Sequence, residues 1–525
     1  MTTITLKSTA GKWVMASSIL ASSMAFIDST ALNVVLPSLQ KSLNASGTDL
    51  FWVLNAYLLM LASFILMGGS LGDKLGRKKI FMIGILIFII GSLACGFAPT
   101  VLLLIIFRAL QGIGGALMIP GSLSLISTAF NPKERGKAIG TWSAITTMVT
   151  MGGPILGGAL GDAGLWRYIF FINIPIGLIS ILILWFKVKE SRDEELSNQV
   201  DFPGAITTVL GLALLTFGFL RIPETGINNP QVYLSLGGGI IFLAVFIFIE
   251  MRIKNPMMPL TLFSNKTFSG VNLLTFFLYA GLSAGLLFVT LNMIQVQGYS
   301  QLQAGLTLLP FTILMVGIAR FAGNLSDNYG PRWLLIAGPS AAGLGLLLLS
   351  FVKQTAGPSE YWTSFFPGIL VFGLGMAFTV APLTSTVMGS VATHFSGTAS
   401  GVNNAVTRIA SVFANAILGA LALVFFSAYL GNVVKDLPVN QTAKQSIMAE
   451  VGNLGDAKVP ANLNKENTVL ISNVYKQGFS IAYAKVMTVC AGLAFSGALM
   501  SFLFIKNEAV EISSKVKSDE PLSSG

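Results

Sequence analysis

Two charged residues lie within stretches of the sequence that are otherwise apolar. Asp28 lies in a run that ends near Pro37, and Arg108 lies in a run that begins at Val101. A charge near the centre of a bilayer costs about 2.5–3.5 kcal/mol on insertion scales, so such residues are expected to be paired or functional. A carboxyl group can bind and release a proton, whereas an arginine stays charged. Together they predict a proton-exchange site, because a nearby guanidinium favours the ionised carboxylate.

The two residues are predicted to lie at the same depth in the membrane. Asp28 precedes Pro37 by nine residues, which is roughly 13 Å along a helix. Arg108 follows Val101 by seven residues, which is roughly 10 Å from the same face. Contact is therefore expected. Two alternatives remain open: Asp28 could form a purely structural ion pair, and Arg108 could extend its charged end to the membrane surface.

A short charged turn separates the second and third apolar runs. Its acidic and basic residues are four apart and can pair at a helix end, and its glycines allow a sharp change of direction. Basic residues beside a span mark the cytoplasmic side. We expect a gating loop here, with an ordinary basic flanking loop as the alternative. The residues of this charged turn are Gly69, Gly72, Asp73, Gly76, Arg77 and Lys78.

A small-residue motif lies in the fifth apolar run and comprises Gly153, Pro154, Gly157 and Gly158. Small residues four apart permit close helix crossing, and a proline bends a helix. A generic glycine-packed helix is the alternative interpretation.

The elements that position these residues are fourteen apolar runs, each about 20 residues or more, the length that spans a bilayer. Of the 32 Lys and Arg residues, 19 fall on the side of the amino terminus and four in short loops on the other side. Cytoplasmic loops are rich in Lys and Arg, so both termini are predicted to be cytoplasmic. The runs are 13–36, 51–71, 80–98, 101–128, 138–160, 168–187, 203–222, 231–251, 268–291, 303–322, 333–352, 362–390, 398–428 and 481–505.

The composition supports a membrane protein and argues against other classes. Hydrophobic residues make up 53% and charged residues 10%, whereas soluble domains carry about 25% charged residues. The net charge of +10 is spread over loops and forms no basic domain, so no nucleic-acid partner is expected. His394 is the single histidine, and Cys95 and Cys490 lie in apolar runs, so we expect no metal site. A phosphate loop for ATP is absent from the sequence.

The charged turn resembles the loop motif of the major facilitator superfamily. A related copy begins at Gly323, 254 residues later. The stretch around Asp28 resembles the first-helix signature of the fourteen-helix drug:proton antiporter branch, and Arg108 with Gln111 resembles its fourth-helix motif. The resemblance implies an all-α polytopic membrane protein with the major facilitator fold and a six, two and six helix arrangement. It also identifies the small-residue motif as the antiporter motif of exporters, although Val149 replaces one family glycine.

The implied domains are a six-helix half at 1–190, two inserted helices with linkers at 191–260, and a second half at 261–505. A long outer loop at 429–480 lies within the second half, and a cytoplasmic tail occupies 506–525. A polyspecific exporter needs a large, mainly apolar cavity. The candidate cavity residues are Phe26, Asn33, Gln111, Trp142, Phe276, Tyr279, Gln295, Phe378, Asn404 and Arg408.

The resemblance implies a proton-coupled antiporter of the bacterial inner (plasma) membrane that exports lipophilic, often cationic drugs. It implies no cofactor, contact with membrane lipids and a monomeric state. Whether a periplasmic adaptor and an outer-membrane channel take part stays open. Export of an endogenous lipid, siderophore or amino acid is the alternative within transport. A membrane-embedded enzyme is a more distant alternative, because a single loop histidine supplies no catalytic cluster.

Overall fold

The computed structural model describes residues 4–191, 201–254, 256–391, 396–460 and 463–505. Within these residues the chain is almost entirely helical, and its β pairing consists of one isolated bridge between Ile4 and Phe130. The helices are α1 Thr9–Leu43, α2 Gly47–Leu75, α3 Arg77–Phe97, α4 Val101–Ala129, α5 Pro132–Asp162, α6 Tyr168–Phe171, α7 Asn173–Lys187, α8 Phe202–Thr225, α9 Pro230–Arg252, α10 Lys266–Gln295, α11 Gln301–Thr307, α12 Leu309–Tyr329, α13 Arg332–Ser350, α14 Tyr361–Ser364, α15 Phe366–Gly389, α16 Ser396–Val433, α17 Gln441–Ala449 and α18 Lys465–Phe504.

Thirteen candidate membrane spans, two of them built from consecutive short helices, occur in the described part of the chain. The predicted span 138–160 falls within α5, a helix of 31 residues that is not among the thirteen. The first turns of α5 carry Lys133, Glu134, Arg135 and Lys137, which lowers its apolar content. The all-helical membrane fold is thus confirmed, while the count of fourteen spans and the cytoplasmic termini stay predictions.

Two predicted spans are interrupted helices. The run 168–187 forms α6 and α7, which meet at Ile172, and the run 303–322 forms α11 and α12, which meet at Leu308. Pro310 lies at the start of α12, where its missing N–H does no harm to the helix. The periodicity of an apolar run does not reveal such breaks, since both parts remain apolar.

The segment 429–480 is shorter as a loop than predicted. α16 continues to Val433, and α18 begins at Lys465, so both helices extend into it. Between them, 3-10 turns at Val434–Asp436 and Glu450–Asp456 flank α17. Ile447 and Leu454 of this segment are buried in the main apolar core. The segment therefore packs onto the helix bundle, at the end that the charge distribution assigns to the outside of the cell; we call this the outer end.

The long helices pack in a pattern that brings α1, α2 and α4 together. α2 and α3 pack on α4, and α5 packs on α1; in the later part of the chain α10 packs on α18, and α13 on α15 and α18. α16 packs on α2, α11 packs on α5, and the pair α8 and α9 packs beside α2 and α16. α1 also packs on α4, so Asp28 on α1 and Arg108 on α4 can meet between these helices.

Candidate functional site

The carboxylate of Asp28 and the guanidinium of Arg108 are in direct contact. Arg108 Nη1 lies 2.5 Å from Asp28 Oδ2, and Gln111 Nε2 donates to Asp28 Oδ1 at 2.9 Å. Arg108 Nη1 also donates to Gln111 Oε1 at 2.7 Å, which closes a three-residue network. The exposed fraction is 0% for Asp28 and Gln111 and 1% for Arg108. The network holds one negative and one positive charge away from water, each with its partner.

Neighbouring helices fix the position of the arginine. The Arg108 guanidinium carbon lies 4.3 Å from the centre of the Tyr57 ring on α2, a distance at which ring and cation attract. Arg108 Nε donates to the carbonyl oxygen of Val53 at 3.4 Å. On the other side, α3 approaches α4 at Gly91, where a Cβ atom would lie 2.8 Å from the backbone nitrogen of Gln111. The close helix contact thus requires the absence of a side chain at this glycine.

The network can couple proton binding to helix contacts. An ionised carboxylate only accepts hydrogen bonds, and both oxygens of Asp28 do so here. Uptake of a proton would remove the attraction for Arg108 and leave its charge buried without a counter-charge, which is costly in a medium of low dielectric constant. Protonation of Asp28 would therefore remove the ion pair that joins α1 to α4 in this structure.

The charged turn joins α2 to α3 in a backbone conformation that suits glycine. Gly76 has φ 115°, and its N–H donates to the carbonyl oxygen of Gly72 at 3.1 Å. Arg77 donates from Nε to Ser124 Oγ on α4 at 2.8 Å and from its backbone N–H to the carbonyl oxygen of Ser191 at 2.8 Å. The turn is thus held to α4 and to the chain that follows α7. Gly69 lies 3.7 Å, measured from an added Cβ, from Pro120 Cβ of α4.

Glu190 supports this turn and was not identified from the sequence. Its two carboxylate oxygens accept the backbone N–H groups of Lys78 and Lys79 at 2.9 and 3.0 Å. A carboxylate at the first turn of a helix interacts favourably with the helix dipole. The pairing predicted for Asp73 with Arg77 cannot be placed, because the Asp73 side chain lies outside the described residues. Acidic Glu190 beside the basic end of α7 is the signal that could have pointed to it.

The small-residue motif forms the contact between α1, α5 and α11. A Cβ atom at Gly157 would overlap the carbonyl oxygen of Ala31 on α1, and one at Gly158 would lie 2.5 Å from the carbonyl oxygen of Gln301 on α11. Gly153 faces Thr30, two residues after Asp28. Pro154 lies inside α5. A Cβ atom at Gly305 on α11 would overlap the carbonyl oxygen of Pro154. This motif therefore joins the helix of Asp28 to the later part of the chain.

Hydrogen bonds connect the early and late helices at the outer end. The Asp162 carboxylate accepts the backbone N–H groups of Gln301 and Leu302 at 2.8 and 3.0 Å. Gln301 Nε2 also donates to Ser38 Oγ at 2.5 Å. Lys41 lies 3.7 Å from Asp456 in the segment that packs onto the bundle. These contacts close the bundle at its outer end.

Three of the ten predicted cavity residues take part in specific hydrogen bonds. The Trp142 indole N–H donates to Ser22 Oγ at 3.1 Å, so this ring is packed between α5 and α1. Gln295 Nε2 donates to Gln40 Oε1 at 3.5 Å at the outer end. Gln111 belongs to the Asp28 network. The distance along the sequence does not show to which side such side chains point, and a cavity role for these three residues stays a prediction.

The remaining predicted cavity residues are half-buried. Phe276 makes an edge contact with Phe413, with ring centres 6.3 Å apart, and Phe378 lies 6.4 Å from Phe321. Asn404 donates to the carbonyl oxygen of Ser400 in its own helix. These residues, with the others in the group, are on the long helices that pack around the interior. The half-buried members are Phe26, Asn33, Phe276, Tyr279, Phe378, Asn404 and Arg408.

A second buried carboxylate, Glu250, was not identified from the sequence. It lies near the end of α9, is 3% exposed, and accepts the backbone N–H of Met258 at 2.9 Å. Asp201, 4% exposed, caps α8 by accepting the N–H of Gly204 at 2.8 Å. Asp201 directly before Phe202 and Pro203 is a typical helix start. Glu250 gave no such signal, because its position at the edge of a predicted span suggested exposure.

Known proteins resemble this chain over most of its length. The chain is 34% identical over 411 residues to "Multidrug resistance protein Stp" of Mycobacterium tuberculosis, covering 78% of this chain and 75% of that protein. It is 28% identical over 496 residues to the "Tetracenomycin C resistance and export protein" of Streptomyces glaucescens, covering 93% and 90%. The structure of a bacterial homologue of the human lysosomal transporter Spinster, inward-facing and unoccupied, has a TM-score of 0.67 at 19% identity, covering 95% and 99%.

The family assignment follows from the match of one sequence family across the chain. The Major Facilitator Superfamily matches residues 18–415, which include the Asp28 network, the charged turn and the small-residue motif. The helical fold agrees with the Spinster homologue in architecture. The chain belongs to the Major Facilitator Superfamily and is a multi-pass plasma-membrane transporter, not an enzyme.

Proposed function

We propose that this transporter exports lipophilic drugs from the cytoplasm in exchange for protons. Similar proteins are named for multidrug resistance and for tetracenomycin C resistance and export, which supports drug efflux. The buried pair of Asp28 and Arg108 is the observation that carries the proton-coupled part of the proposal. An ionisable pair in the membrane interior points to a proton or ion pathway.

The exchange cycle begins with a proton that enters from the outside and binds Asp28. Loss of the negative charge separates Asp28 from Arg108 and changes the packing of α1 on α4. When the site opens to the cytoplasm, the proton leaves, and the pair forms again as in this structure. A protein shifts between two conformations only when something stabilises one of them more than the other. Here the ion pair between Asp28 and Arg108 stabilises the conformation in which Asp28 carries no proton.

Alternating access arises when the early helices, α1 to α7, rock against the later helices, α10 to α18, around the depth of Asp28 and Arg108. These are the two helix groups. The Asp162 contacts with α11 close the outer end in the conformation in which Asp28 and Arg108 are paired. The small-residue motif of α5 lies between α1 and α11, so it is the surface about which these helices move. The charged turn, held by Glu190 and Ser124, positions the inner ends of α2 and α3.

We infer no bound cofactor, because the proton gradient drives the cycle. The protein would act as a monomer among membrane lipids, with a periplasmic adaptor and an outer-membrane channel as optional partners. The inserted pair α8 and α9 packs beside α2 and α16, on the outside of the bundle. It therefore adds surface towards lipid without occupying the space between the two helix groups.

Uptake into inverted membrane vesicles tests the proposal. A panel of lipophilic dyes with positive, zero and negative charge is added, and the vesicles are energised by an imposed proton gradient. Accumulation that stops when a protonophore collapses the gradient is expected. Accumulation that continues without a gradient would contradict proton coupling, and transport of only one endogenous lipid, siderophore or amino acid would contradict drug export.

A further inference from the structure

Arg408 on α16 is a half-buried cation with no carboxylate partner among the described residues. Its side chain is half-buried, and its Nε atom is inaccessible to water and has no hydrogen-bond partner. In the described part of the chain, no hydrogen bond or ion pair to its guanidinium is found. Arg108, at a comparable place in the interior, has a carboxylate partner. An unpaired arginine in the membrane interior is costly unless it lines a cavity or binds an anion.

The surroundings of Arg408 provide hydroxyl groups and aromatic rings. The phenols of Tyr57 on α2 and Tyr279 on α10 lie near its guanidinium, and within the described residues no carboxylate forms an ion pair with it. Ala405, one turn earlier on α16, belongs to the same apolar cluster as Tyr57. Phe276, one turn before Tyr279, packs edge-on against Phe413 of α16. The site thus combines one positive charge, phenols and an apolar aromatic wall.

The Asp28 carboxylate is not available to a cationic substrate in this conformation. Both of its oxygens accept hydrogen bonds, and its exposed fraction is 0%. The resemblance implies substrates that are often cationic, and Asp28 would be the carboxylate to bind them. The side chain of Arg408 is half-buried, so its positive charge is more accessible in this conformation than the charge of Asp28.

We propose that Arg408 binds the acidic group of lipophilic weak acids, so that compounds with a carboxylate or phenolate beside an aromatic body are substrates. This inference rests on the proposed export function and names a substrate class for it. Guanidinium binds a carboxylate through parallel hydrogen bonds, and the phenols of Tyr57 and Tyr279 can donate to the same anion. The aromatic body would pack against Phe276 and Phe413.

The position of Arg408 also links the bound acid to the proton site. Tyr57 interacts electrostatically with Arg408, and its ring lies beneath the Arg108 guanidinium at 4.3 Å. An anion bound at Arg408 would therefore lie near the ring that packs on the guanidinium of Arg108. Substrate binding and proton binding are thus connected through one side chain of α2.

Binding to the purified protein in detergent tests the proposal. The probes are fluorescent pyrenebutyrate and its uncharged methyl ester, and the measured quantity is the ratio of their affinities. In the wild type the acid is expected to bind better than the ester. Arg408→Gln is expected to lower the acid-to-ester ratio at least about tenfold, because one partner of a buried charge pair is lost. Arg408→Lys keeps the charge and should retain part of the preference.

Arg252→Gln is the matched control, since Arg252 is exposed at the end of α9 and should keep the ratio. A melting curve shows that each variant is folded. An unchanged ratio in Arg408→Gln overturns the proposal. If the ratio in Arg408→Gln is unchanged and proton-driven transport of the ester is lost, the proposal is also overturned. Arg408 would then be an alternate partner of Asp28. If the ratio falls but the wild type transports the ester without a proton gradient, the anion site stands and the proposed antiport fails.

Discussion

Arg108 Nη1 lies 2.5 Å from Asp28 Oδ2, and neither side chain is exposed by more than 1%. The carboxylate is therefore held by a charge that cannot itself be neutralised by loss of a proton. A proton can therefore remove the charge of Asp28 but not the charge of Arg108. Binding of the proton breaks the ion pair, and its release restores the pair. The first two predictions test this relationship.

Asp28→Asn should abolish proton-driven export. The asparagine side chain has the size of aspartate and forms hydrogen bonds, but it cannot bind a proton. Addition of substrate to the detergent-solubilised wild type should release protons, and the variant should release none. Asp28→Glu, which still has a titratable carboxyl, is the comparison and should keep partial activity. Uphill export by Asp28→Asn at the wild-type rate would show that the coupling carboxylate lies elsewhere, with Glu250 as the next candidate.

Removal of one partner of the buried pair should destabilise the protein more than removal of both. Arg108→Gln leaves the Asp28 charge without its partner, which costs about 3–5 kcal/mol in comparable buried pairs. The double variant Asp28→Asn with Arg108→Gln leaves no unpaired charge. We expect the midpoint of thermal unfolding in detergent to fall in the single variant and to recover in the double variant. A loss in the double variant equal to the sum of the losses in Asp28→Asn and Arg108→Gln would mean that the two side chains are not coupled.

The contact between Asp28 and Arg108 could be predicted because depth along a helix follows from counting residues. The part of Gln111 in the network could not, since the rotation of α4 against α1 decides which side chains meet. In the same way, the rotations of α5 and α10 decide that Trp142 lies against Ser22 and that Gln295 lies against Gln40 at the outer end. Family resemblance gave the identity of these residues without their direction.

The positions of the helices could be predicted from the lengths of the apolar runs. The errors occur where a polar stretch of the sequence is nevertheless helical. The polar composition of 429–480 suggested a loop. However, α16 and α18 continue into it, because a helix can extend beyond the apolar run that crosses the membrane. α5 is helical despite many polar and glycine residues, since it packs between α1 and α11. Glu190 was missed because its partners are backbone N–H groups more than 100 residues away along the chain.

Glu190→Ala should slow transport with little change in the amount of protein in the membrane. The variant loses the acceptor for the N–H groups of Lys78 and Lys79 at the start of α3. Glu190→Gln keeps an acceptor without the charge and should be affected less. Glu466→Ala is the matched control, since Glu466 is likewise an exposed glutamate and lies in the first turn of α18. Vesicle uptake rates at equal protein amount give the measurement, and equal rates for Glu190→Ala and Glu466→Ala would exclude a role in gating.

Asp456→Asn should leave stability unchanged or raise it near neutral pH. Burial raises the pKa of Asp456 above its ordinary value, although Lys41 at 3.7 Å acts in the opposite direction. A raised pKa means that the ionised form is less favourable in the folded protein, so the penalty is complete above the folded pKa and disappears below the ordinary value. The thermal midpoint of the variant should exceed or equal that of the wild type near neutral pH, and the difference should vanish in acid. A lower midpoint near neutral pH would show that the pair with Lys41 stabilises the outer end.

Gly157→Ala should impair both folding and transport, whereas Gly152→Ala, five positions earlier in the same helix, should not. A Cβ atom at Gly157 would overlap the carbonyl oxygen of Ala31, so α5 must move away from α1. A Cβ atom at Gly152 would have no neighbour within 4 Å. Overpacking of a tight contact costs about 1–3 kcal/mol, while alanine in an open helical position favours the helix. Thermal unfolding in detergent and vesicle uptake measure the two effects. If the two variants behave alike, the small-residue motif serves no specific contact, and its part in the movement of α1 against α11 must be abandoned.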